Sequence, residues 1–559
     1  MKPATKLERA ILLISLLIAI STLIFDSASA RINESVNITF PNQTGTLWSP
    51  YLEWTLSNST YSGNPFDLVA TVTFTHSSSG ETRTSQMFYD GNNTWKFRFA
   101  GTRTGNWSFV TESSDTDLDA HTGTATINPN PDSPGFVTHY GNKWMRSGNN
   151  KAFVPQFVMV SGPQDYLNNP GRVDDEIQTF FVEHGFNGMH TPVFCRWFDI
   201  NEPDCDQISG SSPNPDTQTF EALELMVTKV YNAGGVVHIW MWGDDQRKQN
   251  PNYLPGGING PVDLRLQRYI AARLGPLPGW TMGYGFDLFE WTDEPKLTAW
   301  HTYMQAHLGW THLLGARSQK NQLMQLSEAM DYSSYEQHQP DYDIYVETIE
   351  ARPQEPSFSE DRFRIRNEGN PKDYTMLLTR RGLWHSAMAG GIANIWGNLF
   401  GDTSANEGEG TSLSYSNPEW IRTYANFMND RFFADMTRCN NLTNGVCLKR
   451  PNNIDYLFYA EDVSSVQLNL SGMVGMQTAV AVDTASTYSE ILLGQLNPTD
   501  QIWSAPYKSD WAIAVGQFIE PACVQVTMNA PVSPSAMSLE GFTYNIFLPV
   551  VMNQHCPGS

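Results

Sequence analysis

The sequence predicts an α/β protein, a closed (β/α)8 barrel of the TIM type flanked by two antiparallel β-sandwiches. Three observations predict it. At 559 residues the chain is too long for one hydrophobic core. Its central part alternates short apolar runs with longer amphipathic stretches, the rhythm of repeated βα units around a parallel sheet. On either side the helical period vanishes and short alternating segments are punctuated by Gly, Asn, Asp and Ser.

In chain order, residues 1–30 combine a basic start (Lys2, Lys6, Arg9), an apolar run from Ala10 to Phe25 and the small residues Ala28, Ser29 and Ala30. That pattern predicts a secretory leader cut before Arg31, the apolar run being short for a membrane span. Residues 31–130 hold "LVATVTF", "TWKFRFA" and "NWSFVTE" between turn clusters, as in a sandwich of about one hundred residues. The string "DTDLDAHTG" from Asp115 has the flavour of a calcium loop. Ala120 stands where the turn glycine belongs and the closing glutamate is missing, so it reads as a polar hairpin turn. The Pro-rich "NPNPDSPG" is a linker.

Residues 131–448 form the expected barrel. Its strands are read in "KAFVPQFVMV", "FNGMHTPVF", "GVVHIWMWG", "WTMGYGFDLFE", "NQLMQLSEA", "DYSSYEQH", "PSFSEDRF" and "GGIANIWGN". Helical patterns such as "TFEALELMVTKVYNAG" and "KLTAWHTYMQAHLG" lie between most of them. Residues 449–527 again read as short strands, a second sandwich, and 528–559 as a tail ending in "YNIFLPVVMN". The six cysteines fall into near-neighbour pairs, Cys195 with Cys205, Cys439 with Cys447 and Cys523 with Cys556, which suit loop disulfides in an exported protein, although six cysteines allow fifteen connectivities. The expected location is secreted or at the cell surface.

Composition narrows the function. A net charge of -23 disfavours nucleic acid, whose phosphates such a surface repels. No phosphate-cradling glycine loop, HExxH, GxSxG or CxxC is present, and neither a metal nor an organic cofactor is expected.

In a barrel, chemistry gathers where strands end at the C-terminal rim. Here those ends read "HTPVFCRW", "HIWMWGDD", "GYGFDLFEW", "YEQH", "FSEDRFR" and "NIWGN". Acids, His, Arg and Trp on one rim suit a sugar, whose ring faces stack on aromatics and whose hydroxyls take polar partners. Glycoside hydrolysis needs two carboxyl groups, and strands four and seven, on opposite sides of the barrel, each offer an acid.

On "FRFAGTRTGNWSFVTES", "GNKWMRSGNNKAFVPQF" and "DWAIAVGQF" the chain resembles secreted bacterial glycoside hydrolases. These join an N-terminal sandwich of unknown function to an apiosidase-like barrel and a C-terminal domain often labelled collagen-binding. The resemblance covers most of the mature chain. It implies a retaining mechanism with an acid after strand four and a nucleophile after strand seven, and by it Glu360 is the nucleophile. The acid departs from the pattern, because neither the Asn-Glu of the wider clan nor the Gly-Gly-Asp of the apiosidase-like branch is present. The candidates are Asp287 in "YGFD", Glu290 in "LFEW" and Glu294 in "TDEP". Glu294 reads as a first-turn helix carboxylate behind Thr292 as N-cap. Glu290, beside apolar Trp291, has surroundings that raise a carboxyl pKa toward acid duty. Asp287 stays as its alternative.

Further rim candidates for substrate contact are His190, Arg196, Asp244, Tyr335, His338 and Trp396. His190 and Arg196 could instead orient the nucleophile, Asp244 and Asp245 could cap the next helix, Tyr335 or His338 could support the nucleophile, and Trp396 could be core. At least one of Trp240 and Trp242 should face the barrel interior, and Asp361, Arg362 and Arg364 could hold the loop or the acid. The expected function is hydrolysis of a plant or microbial oligo- or polysaccharide, the flanking sandwiches extending the cleft or attaching the enzyme to a surface or matrix. The rival is a glycan- or matrix-binding surface protein on a barrel that has lost its acid.

Overall fold

The structure, a computed structural model, describes residues 37–48, 50–319, 326, 328–363, 375–397 and 415–518, without the side chain of Arg362. The predicted leader, the tail, Arg364, Cys523 and Cys556 lie outside these residues.

Eight parallel strands form the centre: β1 (Gln156–Met159), β2 (Gly188–Pro192), β3 (Val236–Trp242), β4 (Trp280–Gly285), β5 (Leu314–Gly315), β6 (Ser333–Tyr335), β7 (Ser357–Phe363) and β8 (Ile392–Trp396). They pair in the order 5-4-3-2-1-8-7-6. A parallel bridge between Ser318 and Tyr335 joins the two edges, so the barrel is nearly closed. Seven strands lie in the expected segments. The fifth does not: "NQLMQLSEA" falls mostly outside the described residues, and β5 is the short Leu314–Gly315 upstream of it.

Strands buried on both faces need two cores, and both are present. The interior is filled by Phe157, Met159, Val236, Trp240, Phe358 and Ile395. The outer core lies between strands and helices and includes Val158, Val237, Ile239, Leu266, Trp300 and Trp384. A hairpin (Val137–Tyr140 with Lys143–Arg146) plugs the bottom, the Trp144 indole donating to the carbonyl of Ser357 where β7 begins. The helices start where the sequence supplies caps. Asp216 accepts from Gln218 N ahead of Thr217–Asn232, and Thr375 from Leu378 N ahead of Met376–Met388. For Glu294–Leu308 the N-cap is Asp293, not Thr292, and Glu294 is its exposed first residue.

The N-terminal domain pairs a five-stranded sheet with a three-stranded one around Trp54, Phe74, Phe97, Phe99 and Phe109. Asp115–Asp119 is the polar turn between the antiparallel strands Gly105–Ser113 and Thr122–Asn128: Asp115 accepts from Asp117 N, and Asp119 from Ser113 N. The C-terminal domain is one continuous six-stranded antiparallel sheet that begins at Thr437, earlier than the sequence rhythm suggested. Its long strands, Tyr456–Asn469 and Asp500–Val515, shift register around Val463, and residues from both halves share one core with Phe458, Leu468 and Ile513. Cys195–Cys205 and Cys439–Cys447 are disulfides. No helix among the described residues is long and apolar enough to cross a membrane.

Candidate active site

The site is built on an irregularity of β7. Its register with β8 passes from Ser359 opposite Asn394 directly to Arg362 opposite Ile395, leaving Glu360 and Asp361 as a bulge. Glu360, two residues after interior Phe358, points into the barrel by strand alternation and is fully buried there. Its Oε1 accepts from Trp240 Nε1 at 2.8 Å and lies 3.3 Å from His238 Nε2, both on β3. Its Oε2 accepts from Ser334 Oγ on β6. Across the barrel β4 carries Gly283 at this level, where a Cβ would fall 1.8 Å from Glu360 Oε1. Any side chain there would evict the carboxylate.

Above it runs a chain of charge. Arg317, in the loop after β5, donates to the Glu360 carbonyl at 3.3 Å and pairs with Asp287 Oδ1 at 2.6 Å and Asp361 Oδ1 at 3.4 Å. Asp361 Oδ2 meets His338 Nδ1 at 2.7 Å, and His338 Nε2 lies 3.2 Å from Glu336 Oε1. Burial alone would lower the Arg317 pKa, but the surrounding carboxylates of Asp361, Asp287, Glu336 and Glu360 raise it. Glu290, in the turn after β4, is exposed, and its pKa is raised by partial burial first and then by the charges of Asp287, Asp244, Asp245 and Glu336. The apolar neighbour expected to do this, Trp291, is instead buried in the outer core.

Glu336, His338 and Asp361 bring potential cation-ligating atoms within 4.8 Å of one another. Both His338 ring nitrogens already face carboxylates and Arg317 adds its charge to Asp361, so these acids have partners from the protein itself.

Of the residues singled out from sequence, Glu360, Asp287, Asp361 and His338 come together, with Glu290 among the rim acids. Others do not. Tyr335 points outward into a core with Tyr345, Ile349 and Ile392, its hydroxyl on Gln337, because strand side chains alternate and it is Ser334 that faces Glu360. Trp396 likewise faces the helices: Ala393 and Ile395 fill the interior, while the Trp396 indole bonds Gln156 and packs on Phe363. His190 is fully buried within the barrel on β2, stacked on His238, rather than on the rim. Asp244 caps no helix; it closes a turn, accepting from Arg247 N and pairing with that guanidinium at 3.4 Å. Arg196 sits nearly buried in the disulfide-closed loop after β2, its carbonyl accepting from Thr219. Trp240 is the interior tryptophan of β3, and Trp242 joins the outer core.

Four residues were missed. His238 and Ser334 follow from strand alternation once Glu360 and Trp240 are known to point inward. Glu336 stands within "YEQH". Arg317 had no signal, since strand five was sought downstream of it.

A family model described as Domain of unknown function (DUF5060) matches residues 46–114, within the N-terminal sandwich. No curated protein matches the chain. Among solved structures, a provisionally assigned glycoside hydrolase from Bacteroides vulgatus superposes with a TM-score of 0.65 at 14% identity, covering 85% of this chain and 99% of that one. A structure described as a glycoside hydrolase gives 0.51 at 10% identity over 69% of this chain and 98% of its own. A family 5 glycoside hydrolase from Bacteroides vulgatus gives 0.50 at 12% identity over 69% and 95%. At these identities the likeness is one of fold: the chain is built like those glycoside hydrolases.

Proposed function

We propose that the protein is an exported retaining glycoside hydrolase acting on an oligo- or polysaccharide, with Glu360 as nucleophile. The observation that carries this reading is the inward Glu360 carboxylate, held from three sides in a barrel whose β4 rim offers further carboxyls. The fold likeness to proteins named as glycoside hydrolases agrees with it. Glu360 attacks the anomeric carbon while the Glu290 carboxyl protonates the departing oxygen. Glu290 then takes a proton from water, which attacks the glycosyl-enzyme ester and frees Glu360. Glu290 suits this exchange because its raised pKa keeps the protonated form populated at higher pH. Asp287, committed to Arg317, is the alternative.

We read the chain as a leader (1–30), a sandwich (31–130), a barrel from 131, a C-terminal β-domain to 527 whose first strand begins at Thr437 rather than after 448, and a tail (528–559). The leader pattern and the two disulfides support export to an oxidising compartment. The flanking domains are read as cleft extensions or surface attachments.

One observation favours a second reading. Glu360 is fully buried and bonded on both oxygens, as a structural carboxylate would be in a glycan-binding barrel without activity.

Azide rescue tests the acid. With aryl glycosides bearing a good leaving group, Glu290→Ala is expected to stall at the glycosyl-enzyme and to regain turnover with azide, giving a glycosyl azide of retained configuration. Asp287→Ala should show no such rescue. The reverse pattern would transfer the role to Asp287, and rescue of neither would remove both from it.

A further inference from the structure

Beneath the rim a pair of buried histidines leads to Glu360. His190 on β2 and His238 on β3 are register partners, with Nδ1 atoms 2.7 Å apart and rings stacked at 26°. Both are 0% exposed.

The acceptors around His238 fix its protons. Its Nε2 lies 3.3 Å from Glu360 Oε1 and 3.4 Å from the Tyr332 hydroxyl. An ionised carboxylate has no proton to give, and Tyr332 spends its own on the Met282 carbonyl at 3.1 Å. Both oxygens therefore require the proton on His238 Nε2. The contact to Glu360 is longer than the 2.7–2.9 Å of a charged N–H to carboxylate bond, as suits one N–H placed between two acceptors. A neutral ring protonated at Nε2 has a lone pair at Nδ1. Two lone pairs cannot face each other at 2.7 Å, so His190 carries its proton on Nδ1.

We propose that His190 and His238 are positioning residues for Glu360, forming a neutral relay in which His190 Nδ1–H donates to His238 and His238 Nε2–H donates to Glu360 Oε1. Oε1 then accepts from both Trp240 and His238, whereas Oε2 accepts from Ser334. Oε2, with one fewer donor than Oε1, keeps the lone pair for an anomeric carbon. The catalytic part of this inference rests on the glycosidase reading; the proton assignment does not.

The test is a 15N spectrum of the full-length protein labelled in histidine, the two rings assigned by His190→Asn and His238→Asn. The expected result is two neutral rings, protonated at Nδ1 in His190 and at Nε2 in His238, with Glu360→Gln shifting the His238 Nε2 signal. A proton on His238 Nδ1, whether as the other tautomer or as an imidazolium, would overturn the relay. Kinetics on aryl glycosides give the second arm. His238→Gln, which keeps a donor, should retain more activity than His238→Phe, whose kcat should fall about 10²-fold at unchanged KM, the scale of a misplaced reacting group. Equal kcat in wild type and His238→Phe would refute the positioning role. Absence of hydrolysis by wild type would sink the glycosidase reading and leave the spectrum to decide the relay.

Discussion

Glu360→Gln is expected to lower kcat/KM on any aryl glycoside the wild type cleaves by about 10³-fold or more, roughly 4 kcal/mol of transition-state stabilisation. The amide cannot form the glycosyl ester, yet the pocket can hold it. Its oxygen can stay with Trp240 and His238 while its NH2 donates to Ser334 Oγ, whose hydroxyl rotates to accept. Stability should therefore change by only about 1 kcal/mol. Comparing kinetics with urea unfolding separates the two readings of Glu360: activity lost with folding intact marks a nucleophile, and unchanged activity or a glycan-binding protein without activity marks a structural carboxylate.

The largest effect on stability is expected at Glu224, which sits between two arginines where the N-terminal sandwich meets the barrel. Arg98, on the sandwich strand Thr94–Phe99, meets it at 2.8 Å, and Arg273, on the barrel helix Pro261–Leu274, at 2.5 Å. All three are nearly buried, and the guanidiniums also stack on the Phe88 ring. Removing the acid leaves two buried guanidiniums facing each other, with Glu53, 2.8 Å from Arg98, and Asp90, 3.3 Å from Arg273, at the edges, so Glu224→Ala should cost about 3 kcal/mol. Burial alone would raise the Glu224 pKa, but Arg98 and Arg273 outweigh it and hold the pKa low. A carboxyl lowered in the folded state stabilises the protein above its unfolded pKa, and this contribution is lost as pH falls through the folded value. Wild-type urea midpoints should accordingly drop below the ordinary carboxylate range, and Glu224→Gln should flatten that part of the profile. A midpoint insensitive to Glu224→Ala would show that the triad does not hold the domains.

Much of the barrel was legible because a strand buried on both faces is a short apolar run between amphipathic helices, and seven of eight such runs lie where the sequence put them. β5 was not, since Leu314–Gly315 is too short to show any period. Its loss hid Arg317, the residue that ties Asp287 to β7. The inward or outward sense of strand residues was harder. On β7 the bulge after Ser359 shifts the register with β8 but keeps the parity, Phe358 and Glu360 facing inward and Phe363 the outer core. On β6 and β8 the parity was regular, and Tyr335 and Trp396 were misjudged because aromatics suit both a cleft and a core. The Glu224 triad joins residues 126 apart in the chain, and no local pattern could reveal it.

The most direct measurement is covalent trapping of the full-length enzyme with a panel of dinitrophenyl 2-deoxy-2-fluoroglycosides, followed by peptide mass mapping. The predicted result is one fluorosugar on the peptide holding Glu360, absent in Glu360→Gln. Hydrolysis of glycosides without any trapped ester, or an ester on another carboxylate, would contradict Glu360 as the nucleophile.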